Sequence, residues 1–362
     1  MARVAVVGTG LIGGSVGLAL SALGYDVAGF DRDETRLTRA KELGAITEAA
    51  ASLDDAVAGA ELVIVAVPVG AIATAVIAAL DAGAAVVTDV GSVKKSVVAE
   101  VERERPGASA RFVGGHPMAG SEQDGVDGAD ASLFVGATWT LTPTANTDER
   151  AYTAVLRVIR ELGADVVSVA PDHHDELVAF VSHVPQLAAS TLMDVATTSE
   201  ADRPTLMRLA AGGFRDMTRI AAGHPAIWPD ILTTNREAVL GALDAYLIAL
   251  ARVRAHIEAG DREELLAMLE RARLRRRNLP ATAALAKDLV EMRIPVLDRP
   301  GAFNEVTNLA GRLGVNLIDI EVAHSSEGDH GVFVLVVAAA EAGSFEDGLH
   351  ELGYKSSKTD LA

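Results

Sequence analysis

The sequence predicts an α/β chain: a doubly wound parallel sheet first, then an all-helical stretch, then a small α+β unit. Three observations predict this. Short β-branched runs alternate with helical stretches over the first 170 residues, as in parallel strands joined by crossover helices. After Pro171 the pattern changes to long helical periodicity with few strand signals. From Met292 a β–α–β–β–α–β order returns. Expected boundaries are therefore 1–170, 171–288 and 291–362.

The first strand, Arg3 to Val7, runs straight into Gly8-Thr9-Gly10-Leu11-Ile12-Gly13 and then into a helix carrying Val16, Leu18, Ala19, Leu20 and Leu23. Strand, glycine-rich turn and helix in this order form the dinucleotide-binding fingerprint of a Rossmann sheet. Gly8 permits the tight turn, Gly10 lets the backbone approach a pyrophosphate, and Gly13 allows close helix–strand packing. Leu11 and Ile12 open the helix whose N-terminus receives the phosphates. The next strand, Asp26 to Phe30, ends in Asp31, whose carboxylate can bond both ribose hydroxyls and repels a 2′-phosphate. NAD is expected over NADP, against the opposing pull of the cations Arg32 and Arg36. Leu37 to Leu43 reads as helix and Leu62 to Val67 as strand, with Val67 and Pro68 at the cofactor edge. Ala71 to Leu80 is helix and Ala85 to Asp89 strand, and Trp139 to Leu141 and Ala164 to Val169 close the sheet.

Arg111-Phe112-Val113 reads as a short strand leading into Gly114-Gly115-His116-Pro117-Met118-Ala119-Gly120-Ser121-Glu122. Glycines around His116 let the backbone come close to a ligand, and Pro117 biases His116 toward an extended conformation. An imidazole held there can exchange a proton near neutral pH; the plainer reading is a histidine satisfied within a turn. Ser92, in Asp89-Val90-Gly91-Ser92-Val93-Lys94, can orient His116 and the cofactor or cap the helix that begins near Lys94.

In the helical stretch, Asp172-His173-His174-Asp175 looks metal-like. Adjacent helical side chains diverge, however, so Asp172 is read as an N-cap and no metal is expected. Ser182-His183-Val184-Pro185-Gln186 places polar groups and a kinking proline within a helix. Arg215 and Arg219 fall four apart, suited to clamping a carboxylate or to a surface ion network with Asp216. Trp228 reads as packing or a pocket wall. Residues 235–259 carry apolar positions broad enough for two buried faces, which suggests an intertwined homodimer. The arginine-rich 270–277 reads as a solvated linker helix.

In the tail, Arg293 to Leu297, Val315 to Ala323 and Gly331 to Ala339 read as strands and Phe303 to Leu313 as helix, with a last helix and strand between Phe345 and Tyr354. This is the ferredoxin-like order. A net charge of −18 argues against nucleic acid or anionic membrane as partners, and the absence of cysteine rules out thiolate chemistry and fits a cytoplasmic protein. Met1 to Leu20 and Leu62 to Leu80 imitate a signal and a membrane span, but glycines and Pro68 interrupt them, so no membrane segment is expected.

Taken in order, the glycine fingerprint, Asp89-Val90-Gly91-Ser92-Val93-Lys94, His116-Pro117-Met118-Ala119-Gly120, Ser182-His183-Val184-Pro185-Gln186 and Phe214-Arg215-Asp216-Met217-Thr218-Arg219-Ile220 resemble the prephenate dehydrogenase family. The tail, with Asp298-Arg299-Pro300-Gly301 and Asn316-Leu317-Ile318-Asp319-Ile320, resembles an ACT domain. The resemblance implies NAD-dependent oxidative decarboxylation of prephenate to 4-hydroxyphenylpyruvate in tyrosine biosynthesis. His116 would hold and accept the substrate hydroxyl proton, and Ser92 would orient it. Arg219 would pair with a substrate carboxylate, beside His183, Ser121 and Gln186, with Glu122 and Asp216 in a gating ion network. It further implies tyrosine as an allosteric inhibitor at Asp298, Gly301, Asn304 and Asn316. Gln186 stands where many members carry a second histidine, which keeps arogenate as the alternative substrate. A β-hydroxyacid dehydrogenase would place a catalytic lysine on the helical part, and the chain has no lysine between Lys95 and Lys287. A non-catalytic sensor of NAD and an amino acid would leave His116, Ser92 and Arg219 without a task.

Overall fold

The computed structural model describes residues 2–120, 123, 125–198, 206, 208–277, 289–297, 299, 301–324 and 330–361. These form two compact units, Met1–Leu250 and Ala251–Ala362. The first is built on one eight-stranded sheet of β1 (Arg3–Val7), β2 (Asp26–Phe30), β3 (Glu48–Ala49), β4 (Leu62–Val65), β5 (Val87–Asp89), β6 (Phe112–Pro117), β7 (Thr138–Thr142) and β8 (Asp165–Ser168). Their spatial order is β3-β2-β1-β4-β5-β6-β7-β8. Neighbours run parallel except β6 and β7, which pair antiparallel with His116 opposite Thr140. The expected doubly wound sheet is therefore present through β6, and β7 departs from it.

Helices α1 (Leu11–Ala22), α2 (Glu34–Glu42), α3 (Leu53–Val57), α4 (Ile72–Asp81), α5 (Lys95–Glu104) and α6 (Glu149–Glu161) connect these strands. Strand periodicity sends alternate residues to opposite faces. Val4, Val6, Leu62 and Ile64 join one apolar cluster, whereas Ala5, Val7, Val63 and Val65 join the other. Both faces are covered, which is why these strands read as unbroken apolar runs.

Beyond the sheet come α7 (Pro171–Val178), a π turn (Ala179–His183) and α8 (Val184–Thr197). Pro185 lies in the first turn of α8 and lacks an N–H, so the chain widens by one residue just before it. After these follow α9 (Gly212–Thr218), a 3₁₀ turn (Arg219–Ala222), α10 (Trp228–Thr234), α11 (Arg236–Ala259) and α12 (Arg262–Arg277). The two buried faces expected over 235–259 do not exist within one chain: of α11 only Val239 and Ala242 are buried. Among the described residues no helix is long and apolar enough to cross a membrane.

In the second unit, β9 (Leu289–Leu297), α13 (Ala302–Leu313), β10 (Asp319–His324), β11 (His330–Ala338), α14 (Ala339–Glu351) and β12 (Ser357–Leu361) form an antiparallel sheet ordered β10-β11-β9-β12. Met292, Ile294, Leu335 and Val337 point into its core against Val306, Leu309, Phe345 and Leu349. The β–α–β–β–α–β order is as expected, with three shifts. The strand expected from Val315 begins at Asp319, the last helix starts at Ala339, ahead of Phe345, and the last strand lies beyond Tyr354.

Candidate active site

The carboxyl ends of β1, β2, β4, β5 and β6 lie along one edge of the sheet, where open α/β sheets take their ligands. At β1, Gly8 has φ +94, which only glycine adopts freely, and a Cβ on Gly13 would lie 1.9 Å from the Gly8 carbonyl oxygen. A Cβ on Gly10 would meet nothing within 4 Å, so the turn is open above its backbone. Asp31 ends β2 with its carboxylate accepting from the Thr9 amide (2.8 Å) and hydroxyl (3.1 Å). Leu11 and Ile12 are half-buried at the head of α1, Val67 is half-buried and Pro68 exposed after β4, and Arg32 is exposed. Arg36 lies 3.6 Å from Asp31, so the nearer cation is paired with the carboxylate. This turn fits the two phosphates and ribose of a dinucleotide.

At β5, the Asp89 carboxylate accepts from the Gly91 amide (2.9 Å) and the Gly115 amide (3.1 Å) and pairs with the Lys94 ammonium. Lys94 is fully buried and also donates to the Gly115 carbonyl at 2.9 Å. Burial pushes its ammonium below the ordinary lysine value, with Asp89 opposing the shift. The glycines before His116 serve this packing and not ligand approach. A Cβ on Gly115 would lie 2.6 Å from the Asp89 carbonyl, and one on Gly114 2.4 Å from the Thr142 hydroxyl. His116 accordingly sits within β6, not in a loop after it.

The ring of His116 meets a partner that sequence reading dismissed. Its Nδ1 lies 2.9 Å from Nε2 of His174, the rings edge to face. His174 Nδ1 in turn lies 2.8 Å from Asp175 Oδ1. Both residues are 2% exposed on the inner face of α7. Asp175 also accepts the Lys94 amide (2.8 Å) and the Lys95 amide (3.0 Å), capping the N-terminus of α5 from across the fold. This corrects two expectations. Ser92 does not cap α5, and no hydrogen bond joins Ser92 to His116 among the described residues. Asp172 is not the N-cap of α7, which is Ala170 followed by Pro171.

His183 ends the π turn, almost fully buried, and packs edge to face on Trp228. Its Nδ1 faces Asn235 Nδ2 at 3.3 Å, and the same amide nitrogen donates to the Asp175 carbonyl at 2.9 Å. Burial pushes His183 down to about 4, with Asp175 opposing and His174 adding to the shift. Burial likewise holds His116 well below the ordinary histidine value, helped by His174, Lys94 and His183. Both rings are therefore neutral at physiological pH. One neutral imidazole nitrogen can accept a proton and the other can donate a hydrogen bond.

Gln186 is nearly buried in α8 and donates to Ser190 (3.3 Å). Arg215 and Arg219 do not share a helix face: α9 stops at Thr218, Arg219 opens the 3₁₀ turn, and Arg215 donates back to the Ala210 carbonyl. That turn packs against α8, and Arg219 and Asp216 are exposed. Ser121 and Glu122 lie outside the described residues, as does Asp298 of the second unit. There, Gly301 has φ +94 at the head of α13, and Asn304 and Asn316 are exposed.

Sequence reasoning missed Lys94, His174, Asp175 and Asn235. A signal for two of them was present: His174, Asp175, Val178, Ala179 and His183 recur at the spacing of a buried helix stripe.

A dinucleotide turn and a buried imidazole network on the carboxyl edge of one sheet define a nicotinamide-dependent dehydrogenase as the class. The family model described as "Prephenate dehydrogenase, nucleotide-binding domain" matches residues 16–168, and "Prephenate dehydrogenase, dimerization domain" matches 170–271. A prephenate dehydrogenase of Bacillus subtilis is 33% identical over 331 residues, covering 90% of this chain and 89% of its own. A crystal structure of prephenate dehydrogenase from A. aeolicus, in complex with hydroxyphenyl propionate and NAD+, superposes with a TM-score of 0.71 at 32% identity, over 77% of this chain and 99% of that one. Synechocystis arogenate dehydrogenase gives 0.67 at 30% identity, over 76% and 98%. The chain belongs to the prephenate dehydrogenase family.

Proposed function

We propose that this chain oxidises and decarboxylates prephenate to 4-hydroxyphenylpyruvate with NAD+. The observation that carries the reading is His116: a neutral imidazole at the carboxyl end of β6, with no described partner on Nε2, on the same sheet edge as the dinucleotide turn. Bound NAD+ supplies the hydride acceptor. Gly8, Gly10, Leu11, Ile12 and Gly13 would hold its phosphates and Asp31 its ribose, with Val67, Pro68, Arg32 and Ser92 lining the approach.

His116 takes the proton of the C4 hydroxyl as the C4–H bond gives up its electron pair. The ring carboxylate leaves as CO2, its bonding pair aromatises the ring, and the proton returns to the phenolate oxygen. Aromatisation makes the second step strongly favourable, so the protein's task is positioning and proton handling. Arg219, with His183, Gln186 and Ser121, is assigned the substrate's carboxylates, and Glu122 and Asp216 a place in a gating ion network.

The three-part organisation, with boundaries near 170 and 288, belongs to this proposal. So does a homodimer, which Phe180 (56% exposed), Val181 (64%), Leu247 (53%) and Ile248 (55%) support as apolar surface on the helical part. The β–α–β–β–α–β unit is read as an ACT domain binding tyrosine at Asp298, Gly301, Asn304 and Asn316.

The test is NADH formation from purified protein supplied with prephenate and, separately, with arogenate. Turnover of prephenate is expected, and His116→Asn lowers kcat by roughly 10²–10⁴-fold while NAD affinity is kept. Faster turnover of arogenate would reassign the substrate. Inactivity on both, or near-normal kcat in the variant, would remove the reading.

A further inference from the structure

The contacts around Asp175 fix where the protons sit on both site histidines. A carboxylate oxygen only accepts, so His174 Nδ1, 2.8 Å from Asp175 Oδ1, carries a hydrogen and donates it. The Nε2 of a neutral His174 is then an acceptor. His116 Nδ1, 2.9 Å from it, must be the donor of that bond. The single ring proton of neutral His116 is thereby held on Nδ1, and Nε2 keeps a bare lone pair.

The backbone of Asp175 makes a second set of contacts, toward Asn235. Its carbonyl oxygen also only accepts, so the group of Asn235 at 2.9 Å is the amide nitrogen. The second hydrogen of that nitrogen points to His183 Nδ1 at 3.3 Å, which must accept. Neutral His183 therefore carries its proton on Nε2.

We propose that Asp175 is the positioning residue that sets opposite tautomers in the two histidines. Through His174 its carboxylate makes His116 Nε2 a proton acceptor, and through Asn235 its carbonyl makes His183 Nε2 a hydrogen-bond donor. The inference rests on the proposed function only for what the two nitrogens meet: the hydroxyl proton at His116, and an oxygen of the acidic substrate at His183. A protonated His174 would reverse the first assignment, because its Nε2 would donate to His116 Nδ1.

The test is a long-range proton–nitrogen correlation spectrum of the full chain, labelled with ¹⁵N-histidine, near neutral pH and without substrate. Signals are assigned by their loss in His116→Asn and His183→Gln. The expected pattern is Nδ1–H for His116 and Nε2–H for His183; Nε2–H or averaged tautomers at His116 would overturn the proposal. Kinetics give a second reading. His174→Phe is expected to lower kcat roughly 10- to 1000-fold with KM and NAD affinity within about twofold. His174→Gln, whose carbonyl can accept the Nδ1–H of His116, should recover most of that loss. Unchanged kcat in His174→Phe, or a glutamine no better than the phenylalanine, counts against it. Should His174→Phe fail to fold, the wild-type spectrum decides. That arm needs no turnover, so a wrong substrate and a wrong tautomer give different results.

Discussion

Replacing His183 with Gln should remove a specific acid sensitivity from the fold. His183 is 1% exposed, and its value falls from the ordinary 6.5 to about 4, with burial as the largest cause. The folded-state value lies below the unfolded one, so the unfolded chain binds the proton first as pH falls. Stability is therefore intact above pH 6.5 and is lost progressively as pH drops toward 4. At about 1.4 kcal/mol per unit, the full loss is on the order of 3 kcal/mol, of which about 2 kcal/mol falls between pH 7 and pH 5. Gln keeps an oxygen able to accept from Asn235 and does not titrate. Urea unfolding of both proteins at the two pH values isolates the effect, because His116 and the carboxylates titrate in both. The wild type should lose about 2 kcal/mol more than the variant over that interval. Equal losses would mean that His183 is solvated or charged in the folded chain, and the neutral donor assigned to it would fall.

Three further outcomes follow from the site. Arg219→Ala should raise KM for prephenate roughly 10- to 100-fold with a smaller change in kcat, since a charge-assisted carboxylate contact contributes about 1.5–3 kcal/mol; steady-state kinetics check it, and an unchanged KM removes Arg219 from the carboxylate site. Asp31→Ser should raise KM for NAD about tenfold and lower that for NADP, because the carboxylate that bonds ribose also repels a 2′-phosphate; no change in the ratio would reassign the discrimination. If the second unit binds tyrosine as proposed, Asn304→Ala should increase the tyrosine concentration needed for half-inhibition while leaving kcat alone. Inhibition curves that superimpose on wild type would place the effector elsewhere.

What sequence made legible was whatever local chemistry dictates. The glycine turn after β1 needs a positive φ at Gly8 and no Cβ at Gly13, and both demands are visible in spacing alone. Asp31 is fixed by its place at the end of the next strand. The glycines beside His116 suggest room for a ligand in the sequence, and in the fold they are room for Asp89, Trp139 and Thr142. The divergence of neighbouring residues on a helix argues against a joint role for His174 and Asp175, and it holds for a metal shared by both side chains. It fails here because Asp175 turns to meet α5, 81 positions back, while His174 reaches β6. Contacts at that separation depend on which face of α7 turns inward, and the stripe of Val178, Ala179 and His183 is the part of the pattern that carried the answer.

The double use of Asp175 also dictates how the site must be probed. Its carboxylate closes the N-terminus of α5, whose first residues carry Lys94 to its pairing with Asp89 beneath β6. Removing that carboxylate leaves the buried Lys94 amide without an acceptor at about 1–3 kcal/mol, and the part-buried Lys95 amide at less, in addition to any effect on the imidazoles. A dead Asp175→Ala enzyme would thus say nothing about proton placement, because the strand that holds His116 depends on the same corner. Changes one bond further out, at His174 and Asn235, leave the α5 cap in place, and the one at His174 does so without taking a donor from the buried Asp175 carbonyl. If proton placement is the role of Asp175, those outer changes reproduce the loss in kcat while Tm stays close to wild type. If its role is the cap alone, they leave kcat untouched.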